Sequence, residues 1–341
     1  MIIGSNLVHE LNANGHTNIL VVDNLSTAAT PATEKIASHP ERKFLNLQGA
    51  QFSDYMDKAE FRKAIAARHF ANTKIQAILH QGACSNTLED DGRYMMDNNF
   101  TYSKELLHFA LGRGIPFVYA STAAVYGQSE NFAPEPANEK PLNVYGWSKL
   151  VFDNHLRTLL PDINTTVVGL RYFNVYGPRE QHKGRMASVI HHFTKQLKET
   201  GIIRMFEGSG GYGPGEQRRD FVYVRDLCRM NLFFAGLVAK PMAAPLAFSR
   251  TEKIARKAAV DTGDTYQGIV NAGTGAATTF KAVAEALFEV HQPGRIEYIP
   301  FPADLNGRYQ HFTQADIATL RQLGYTDEFT PLLTAIRETF A

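Results

Sequence analysis

Cysteine is almost absent from this chain, which carries two in 341 residues, Cys84 and Cys228. Two thiols so far apart build no framework of bridges and suit a reducing compartment, a single disulfide being the alternative. Charge of one sign is missing too. Lysine and arginine number 35 against 34 aspartates and glutamates, for a net charge of +1. With no long basic block besides, nucleic acid and membrane surfaces gain no electrostatic support as partners. No apolar run reaches the roughly 18 residues of a membrane span, and the first residues lack a basic segment followed by an apolar one. The expected location is the cytoplasm, and no metal site is assigned.

What is present is apolar substance and alternation. A 44% hydrophobic content over 341 residues is enough for a large buried core, as one domain or a domain with a smaller lobe. Strand-like runs at 19–23, 77–83, 117–121 and 166–172 alternate with helical patterns at 58–69, 94–112 and 145–160. That order predicts a parallel sheet flanked by helices: a Rossmann-like, doubly wound α/β core over residues 1–177. Residues 178–341 read mainly as a smaller α/β substrate lobe, with some segments returning to the core. Helices are expected there at 186–199, 224–235 and 280–291, and short strands near Ile269 and Ile296. Three stretches read as insertions or mobile loops: 26–42, the glycine-rich 208–215, and 239–265 with its basic run 250–257.

Tyr145 and Lys149, in Asn-Val-Tyr-Gly-Trp-Ser-Lys, are the sharpest chemical signal. One helical turn separates them, so a phenol and an ammonium share a face. An ammonium beside a phenol favours the phenolate, bringing a group that ordinarily titrates near 10 toward cytoplasmic pH. Such a spacing also arises by chance on exposed helices. Its company gives it weight: the apolar run 117–120 ends in Ser121 and Thr122, at the strand end where open α/β sheets bind ligands. Thr122, Tyr145 and Lys149 therefore form a candidate catalytic triad. Either hydroxyl could alternatively serve only the turn backbone.

The cofactor end is half written. Residues 19–23 form an apolar strand ending in Asp23, and Gly4 lies nineteen positions before that acid. An interval of about 20 residues separates a dinucleotide-binding glycine turn from its ribose acid. Residues 3–6 would be the last glycine and the first helix of that turn. The strand and two glycines expected before them do not precede Met1 in this sequence. Two readings compete, a truncated chain and a noncatalytic protein that no longer binds the cofactor; truncation is favoured because the other cofactor-related residues are retained. Such a first strand is central to its sheet, so both neighbours would lose a ladder partner and a buried slot would remain.

Several segments taken together carry a family resemblance. They are IGSN at 3–6, HQGACSNT at 80–87, YMMDNN at 94–99, NVYGWSK at 143–149, RYFNVYGPREQHKGRMAS at 171–188, FEGS at 206–209, RRDFVYV at 218–224 and GRYQHFTQAD at 307–316. The chain resembles an extended short-chain dehydrogenase/reductase, and within that family the nucleotide-sugar epimerases that invert C6 of an ADP-heptose in lipopolysaccharide core synthesis. The resemblance implies NADP as cofactor, with NAD as the alternative, an ADP-heptose substrate, and a homo-oligomer such as a pentamer.

By the same resemblance Thr122, Tyr145 and Lys149 are catalytic, and Lys183 is a second proton-transfer residue. Ile2, Gly4, Asp23, Asn24, Lys43, Lys58, Gln81, Gly82, Ala83, Cys84, Ser85, Asn98 and Val175 fall at cofactor positions, together with Tyr145 and Lys149. Asn174, Arg185, His192, Phe206, Glu207, Gly208, Ser209, Arg219 and Tyr309 fall at substrate positions. Lys43 and Lys58 favour the extra phosphate of NADP, although the insertion at 26–42 could displace Lys43. Gln81 stands where the family carries glutamate, and Arg185 where it carries serine. Arg219 has the planar fork that suits a diphosphate, the alternative being a loop salt bridge to Asp220. A nucleotide-sugar dehydratase is the nearest rival. Its elimination needs an acid and a base beside the threonine, and Ala123 and Ala124 supply neither.

Overall fold

The computed structural model describes residues 2–25, 43–238, 265–302 and 309–340. The expected insertion at 26–42 lies outside the described residues, as do residues 239–264 of the one expected at 239–265 and Gly307 and Arg308 of the last motif.

The first half runs α1 (Ile2–Ala13), β1 (Leu20–Val22), β2 (Asp54–Met56), α2 (Lys58–Ala66), β3 (Ile78–His80), α3 (Gly92–Met96), α4 (Tyr102–Leu111), β4 (Phe117–Thr122), α5 (Val144–Leu159) and β5 (Val167–Tyr172). There follow β6 (Asn174–Tyr176), α6 (Val189–Thr200), β7 (Ile202–Phe206), β8 (Arg218–Arg219), β9 (Phe221–Tyr223) and α7 (Val224–Phe234). The last part comprises β10 (Gln267–Ala272), β11 (Thr278–Thr279), α8 (Phe280–Val290), β12 (Arg295–Ile299), α9 (Ala318–Gln322) and α10 (Leu332–Phe340).

Four strands in the order β10-β5-β4-β3 form the central sheet, and every pairing in it is parallel. Strands β4, β5 and β10 are buried at every residue. A parallel sheet covered by helices on both faces demands this, and it is why these strands read as continuous rather than alternating apolar runs. The fold is the expected Rossmann-like α/β arrangement. β10, far along the chain, returns to extend the central sheet beside β5. Elsewhere β7 pairs with β12 and β6 with β9, both parallel, while β8 and β11 form a short antiparallel pair. β2, β6, β7, β9 and the two-residue strands escaped the sequence reading because runs of two to five residues carry too little periodicity to recognise.

Strands β1 and β2 form a parallel ladder of their own, and β1 is not paired with β3. Residues 19–23 and 77–81 instead line one cavity together with the Ile2–Val8 turns of α1. The cavity thus runs past both β1 and β3, which share no ladder. Other contacts anchor α1: Leu7 and Leu11 join a buried cluster with Cys228 and Leu232. The Asn6 amide donates to the Pro178 carbonyl at 3.0 Å, and Arg179 donates to the Asn6 side-chain oxygen at 2.8 Å.

The expected helix over 94–112 is present but interrupted by one π-helical turn, Asp97–Thr101. Single π turns inside α-helices recur at functional sites because the extra residue re-aims its neighbours. The strand expected over 77–83 stops at His80. Beyond it the chain leaves the ladder and lines the cavity through residues 81–87.

One glycine in the sheet is there for space alone. A methyl group on Gly169 of β5 would lie 2.4 Å from the Tyr119 phenol carbon and oxygen. With no side chain at 169, the Tyr119 ring lies across the neighbouring strand, edge-on to Phe152 at a centroid distance of 4.8 Å. Replacing Gly169 by alanine is expected to destabilise the fold by about 1–3 kcal/mol, the usual cost of overpacking a filled core. A urea midpoint unchanged from wild type at equal slope would contradict this.

Candidate functional site

Helix α5 is aimed by its first turn. Asn143 caps it, its side-chain oxygen accepting from the Gly146 amide at 2.8 Å. A side chain at Gly146 would meet the Ala124 carbonyl at 2.9 Å and Pro141 at 3.0 Å. The glycine thus lets the start of the helix press against the tight turn that follows β4. The Tyr145 phenol is thereby brought beside Thr122, whose hydroxyl favours the phenolate. Thr122 Oγ1 also accepts from the Ala124 amide at 3.1 Å, so it serves both the turn and the tyrosine.

One turn along, Lys149 is buried, and its ammonium donates to the Ala120 carbonyl at 2.8 Å. The helix is therefore pinned under the end of the central strand. Asn99, on the π turn, ties this unit to the cavity wall. It accepts from the Cys84 amide at 2.8 Å, donates to the Cys84 carbonyl at 2.9 Å, and donates to Ser148 Oγ at 3.0 Å. Sequence reasoning named Asn98 and passed over Asn99, although the paired asparagines of YMMDNN were the available signal. Asn98 accepts from the Lys58 ammonium at 2.5 Å.

The electrostatics modify the sequence-based expectation. Burial pushes the Tyr145 phenol above its ordinary value, and the Thr122 hydroxyl opposes that only in part. Burial also pulls the Lys149 ammonium down to about 8, with Asp153 opposing. In the protein alone, removing water from the pair therefore outweighs the phenolate-favouring effect that spacing suggested. Lys183 lies in the short helical turn Gln181–Met186; burial lowers its titration as well, and Glu180 acts against the shift.

Around these groups is a cavity of about 2230 Å³. It is far larger than the roughly 300–1,000 Å³ usual for a ligand site because it includes the slot between β1 and β3. Thr122, Tyr145, Lys149 and Lys183 all line it. So do Ile2, Gly4, Asp23, Asn24, Lys43, Lys58, residues 81–85, Asn98 and Val175. Lys43 stands 4.0 Å from the Asp23 carboxylate, so the preceding insertion does not carry it away. The Gln81 side chain is engaged internally, donating to Asn231 at 2.9 Å and accepting from the Tyr172 hydroxyl at 2.9 Å.

Asn174, Arg185, His192, Phe206, Arg219 and Tyr309 line the same cavity, but Glu207, Gly208 and Ser209 are not among its lining residues. The chain after Phe206 folds into a closed glycine turn. Tyr212 donates to the Ser209 carbonyl and Gly215 to that of Phe206, while Ser209 Oγ is taken up by His311 and Gln217. The expected loop excursion is thus a hydrogen-bonded turn.

Arg219 is buried and makes no ion pair with Asp220. The Asp220 carboxylate instead accepts from the amides of Thr274, Gly275 and Ala315 and from the Thr274 hydroxyl. Arg219 donates to its neighbour's carbonyl at 2.9 Å and stacks over Tyr309, 4.7 Å from the ring centroid. Among the described residues it has no carboxylate partner. A buried guanidinium without an anion, facing a cavity, is suited to a phosphate.

Both cysteines are free thiols, and among the described residues no cluster of histidine, cysteine or acidic side chains could hold a metal. No described helix is long and apolar enough to cross a membrane.

Because Lys149 titrates near 8 in the folded chain and in the ordinary lysine range when unfolded, the unfolded state binds more protons between those values. The Lys149 contribution to stability therefore rises as pH rises from about 8 toward about 10. The Lys149→Met variant is expected to lack that rise when unfolding free energy is followed against pH. Parallel curves for variant and wild type would exclude the buried-ammonium assignment.

Residues 2–241 match the NAD dependent epimerase/dehydratase family. The chain is 49% identical over 335 residues to an ADP-L-glycero-D-manno-heptose-6-epimerase of Alkalilimnicola ehrlichii, covering 98% of this chain and 92% of the relative. Among solved structures it is similar to an ADP-L-glycero-D-manno-heptose-6-epimerase of Helicobacter pylori, at a TM-score of 0.75 and 27% identity, covering 99% of this chain and 91% of that one. A UDP-glucuronic acid 4-epimerase of Bacillus cereus in complex with NAD shares the fold, at a TM-score of 0.71 and 20% identity, covering 99% and 94% of the two chains. The chain belongs to the NAD dependent epimerase/dehydratase family.

Proposed function

We propose that this protein is a nucleotide-sugar epimerase that inverts C6 of an ADP-linked heptose, in the cytoplasmic supply of heptose for the lipopolysaccharide core. The observation that carries the reading is that two candidate proton-transfer groups from distant segments, Tyr145 and Lys183, line one cavity with buried Arg219, which has no carboxylate partner among the described residues.

The side chains present fit a nicotinamide dinucleotide. Asp23 at the end of β1 suits an adenosine ribose, and the first turn of α1 at Gly4 offers helix N-terminal amides to a diphosphate. Lys43 and Lys58 favour the additional phosphate of NADP over NAD, and residues 81–85, Asn98, Val175, Tyr145 and Lys149 form the remaining wall. When bound, the nicotinamide supplies the hydride chemistry: removal of hydride from the sugar carbon to give a ketone, and return of hydride to the opposite face. On this reading residues 1–177 hold the cofactor and residues 178–341 mainly hold the sugar nucleotide.

This chain's own residues supply the protons and the orientation. Oxidising an alcohol releases its hydroxyl proton, and reducing the ketone returns one. Inversion presents the same carbon in two opposite orientations, so one group serves each, Tyr145 in one and Lys183 in the other. Thr122 holds the reacting oxygen beside Tyr145. Lys149, drawn toward the phenolate by charge when protonated, eases the loss of the phenol proton. Arg219 pairs with the diphosphate, and Asn174, His192, Phe206 and Tyr309 surround the rest of the substrate. Glu207, Gly208 and Ser209 hold the neighbouring turn, and exposed Arg185 lies at the cavity edge. The protein acts as a homo-oligomer, a pentamer being the form implied by the family resemblance of its sequence, and light scattering reads this directly.

Supplied with NADP and ADP-D-glycero-D-manno-heptose, the protein is expected to give the C6 epimer, detected by NMR. Tyr145→Phe and Lys183→Ala should each lower kcat by about 10²–10⁴-fold, the usual contribution of a proton-transfer group. Arg219→Ala should act mainly on KM. Absence of epimerisation despite demonstrated cofactor binding would sink the assignment.

A further inference from the structure

A second constellation lies directly behind the site and is not used by the proton transfers. Asp153 stands one turn beyond Lys149 on α5 and is wholly buried. Its Oδ1 accepts from the Tyr119 hydroxyl at 2.9 Å. Its Oδ2 accepts from Ser121 Oγ at 2.9 Å, and from Arg171 through Nε at 3.0 Å and Nη2 at 2.9 Å. Tyr119 and Ser121 belong to β4, immediately before Thr122; Arg171 belongs to β5 and is paired in register with Ser121. One carboxylate therefore grips the catalytic helix, the strand that carries Thr122 and the next strand of the sheet.

We propose that Asp153 is a positioning residue for the reaction, fixing the register of α5 on β4 so that Tyr145 and Lys149 face Thr122. The proposal rests on the epimerase reading above. Three features support it beyond ordinary core stability. The side chains that Asp153 holds on β4, at 119 and 121, alternate with Ala120, whose carbonyl receives the Lys149 ammonium. Any slide of helix on strand that broke the first contacts would break the second. Arg171 is not left to balance Asp153 alone. It also pairs with Glu139 at 2.6 Å, which in turn pairs with Arg157 at 2.6 Å, and it contacts the Tyr126 hydroxyl at 3.1 Å. The knot thus carries two cations and two anions and is internally neutral. Finally, Asp153 is the anion that opposes the burial-driven loss of the Lys149 proton. The other titratable groups around that amine are Tyr145 on its own helix, His80 on β3 and Cys84 on the following loop, of which His80 is neutral across the working range.

The test compares wild type with Asp153→Asn, which keeps the shape and removes the charge. Epimerisation is followed against pH, and in parallel the Tyr145 phenolate is titrated by ultraviolet absorbance against a Tyr145→Phe reference, a reading that needs no turnover. The expected variant folds, loses about tenfold or more in kcat with KM within about threefold, and shows its alkaline limb about one pH unit lower. The Tyr145 titration should move upward. A folded variant with the wild-type kcat profile and wild-type Tyr145 titration overturns the proposal. Where the single variant does not fold, Asp153→Asn with Arg171→Gln, which removes both charges, is judged by the same two readings. An inactive wild type would remove the epimerase reading, and the phenolate titration would still decide the role of Asp153.

Discussion

The bond from the Lys149 ammonium to the Ala120 carbonyl joins the helix that carries the candidate chemistry to the strand that ends in Thr122. It is a charged donor in a place without water, so it is both strong and dependent on its surroundings. The surroundings are the fully buried strands β4 and β5. Their parallel pairing sets the height at which the strand ends stop, and the strand ends set where hydroxyl, phenol and amine can meet. Gly146 and Gly169 serve this geometry by leaving out atoms. One lets α5 approach the turn after β4, and the other leaves room for the Tyr119 ring on the neighbouring strand.

Burial has opposite consequences in the two halves of the cavity. Around Tyr145, Lys149 and Lys183 it disfavours the charged form of each group, which moves the amines toward the neutral range and the phenol away from it. Around Arg219 it creates demand for an anion, since the guanidinium keeps its charge at any working pH and the adjacent Asp220 is committed to backbone amides. The slot between β1 and β3 joins the same cavity. There β1 and β3 share no ladder, and residues of both strands line the wall.

Much of this was legible in the residues. Long, fully buried strands announce themselves as unbroken apolar runs, so 117–121 and 166–172 located β4 and β5 almost to the residue. The separation of Gly4 from Asp23 located the first helix and the acid-tipped β1, and anticipated two strands without a shared partner. Short strands such as β2 and the π turn at Asp97–Thr101 were not legible, because three to five residues carry too little repeating pattern to recognise. The Arg219 and Asp220 pair misleads in the other direction. Adjacent opposite charges invite a salt bridge, yet three backbone amides and a hydroxyl from distant residues reach Asp220 first.

Local order in the chain determined the elements, their alternation and the helical face shared by Tyr145 and Lys149, because those follow from periodicity over a few residues. Only the tertiary structure decided which groups meet. It brought Lys183, Arg219 and Tyr309 to the cavity of Tyr145, sent Glu207, Gly208 and Ser209 into a neighbouring turn, and set Asp153 beneath the strand end. It also decided the sign of the Tyr145 shift, because removal from water depends on everything packed around a group, whereas spacing along a helix reports a single neighbour.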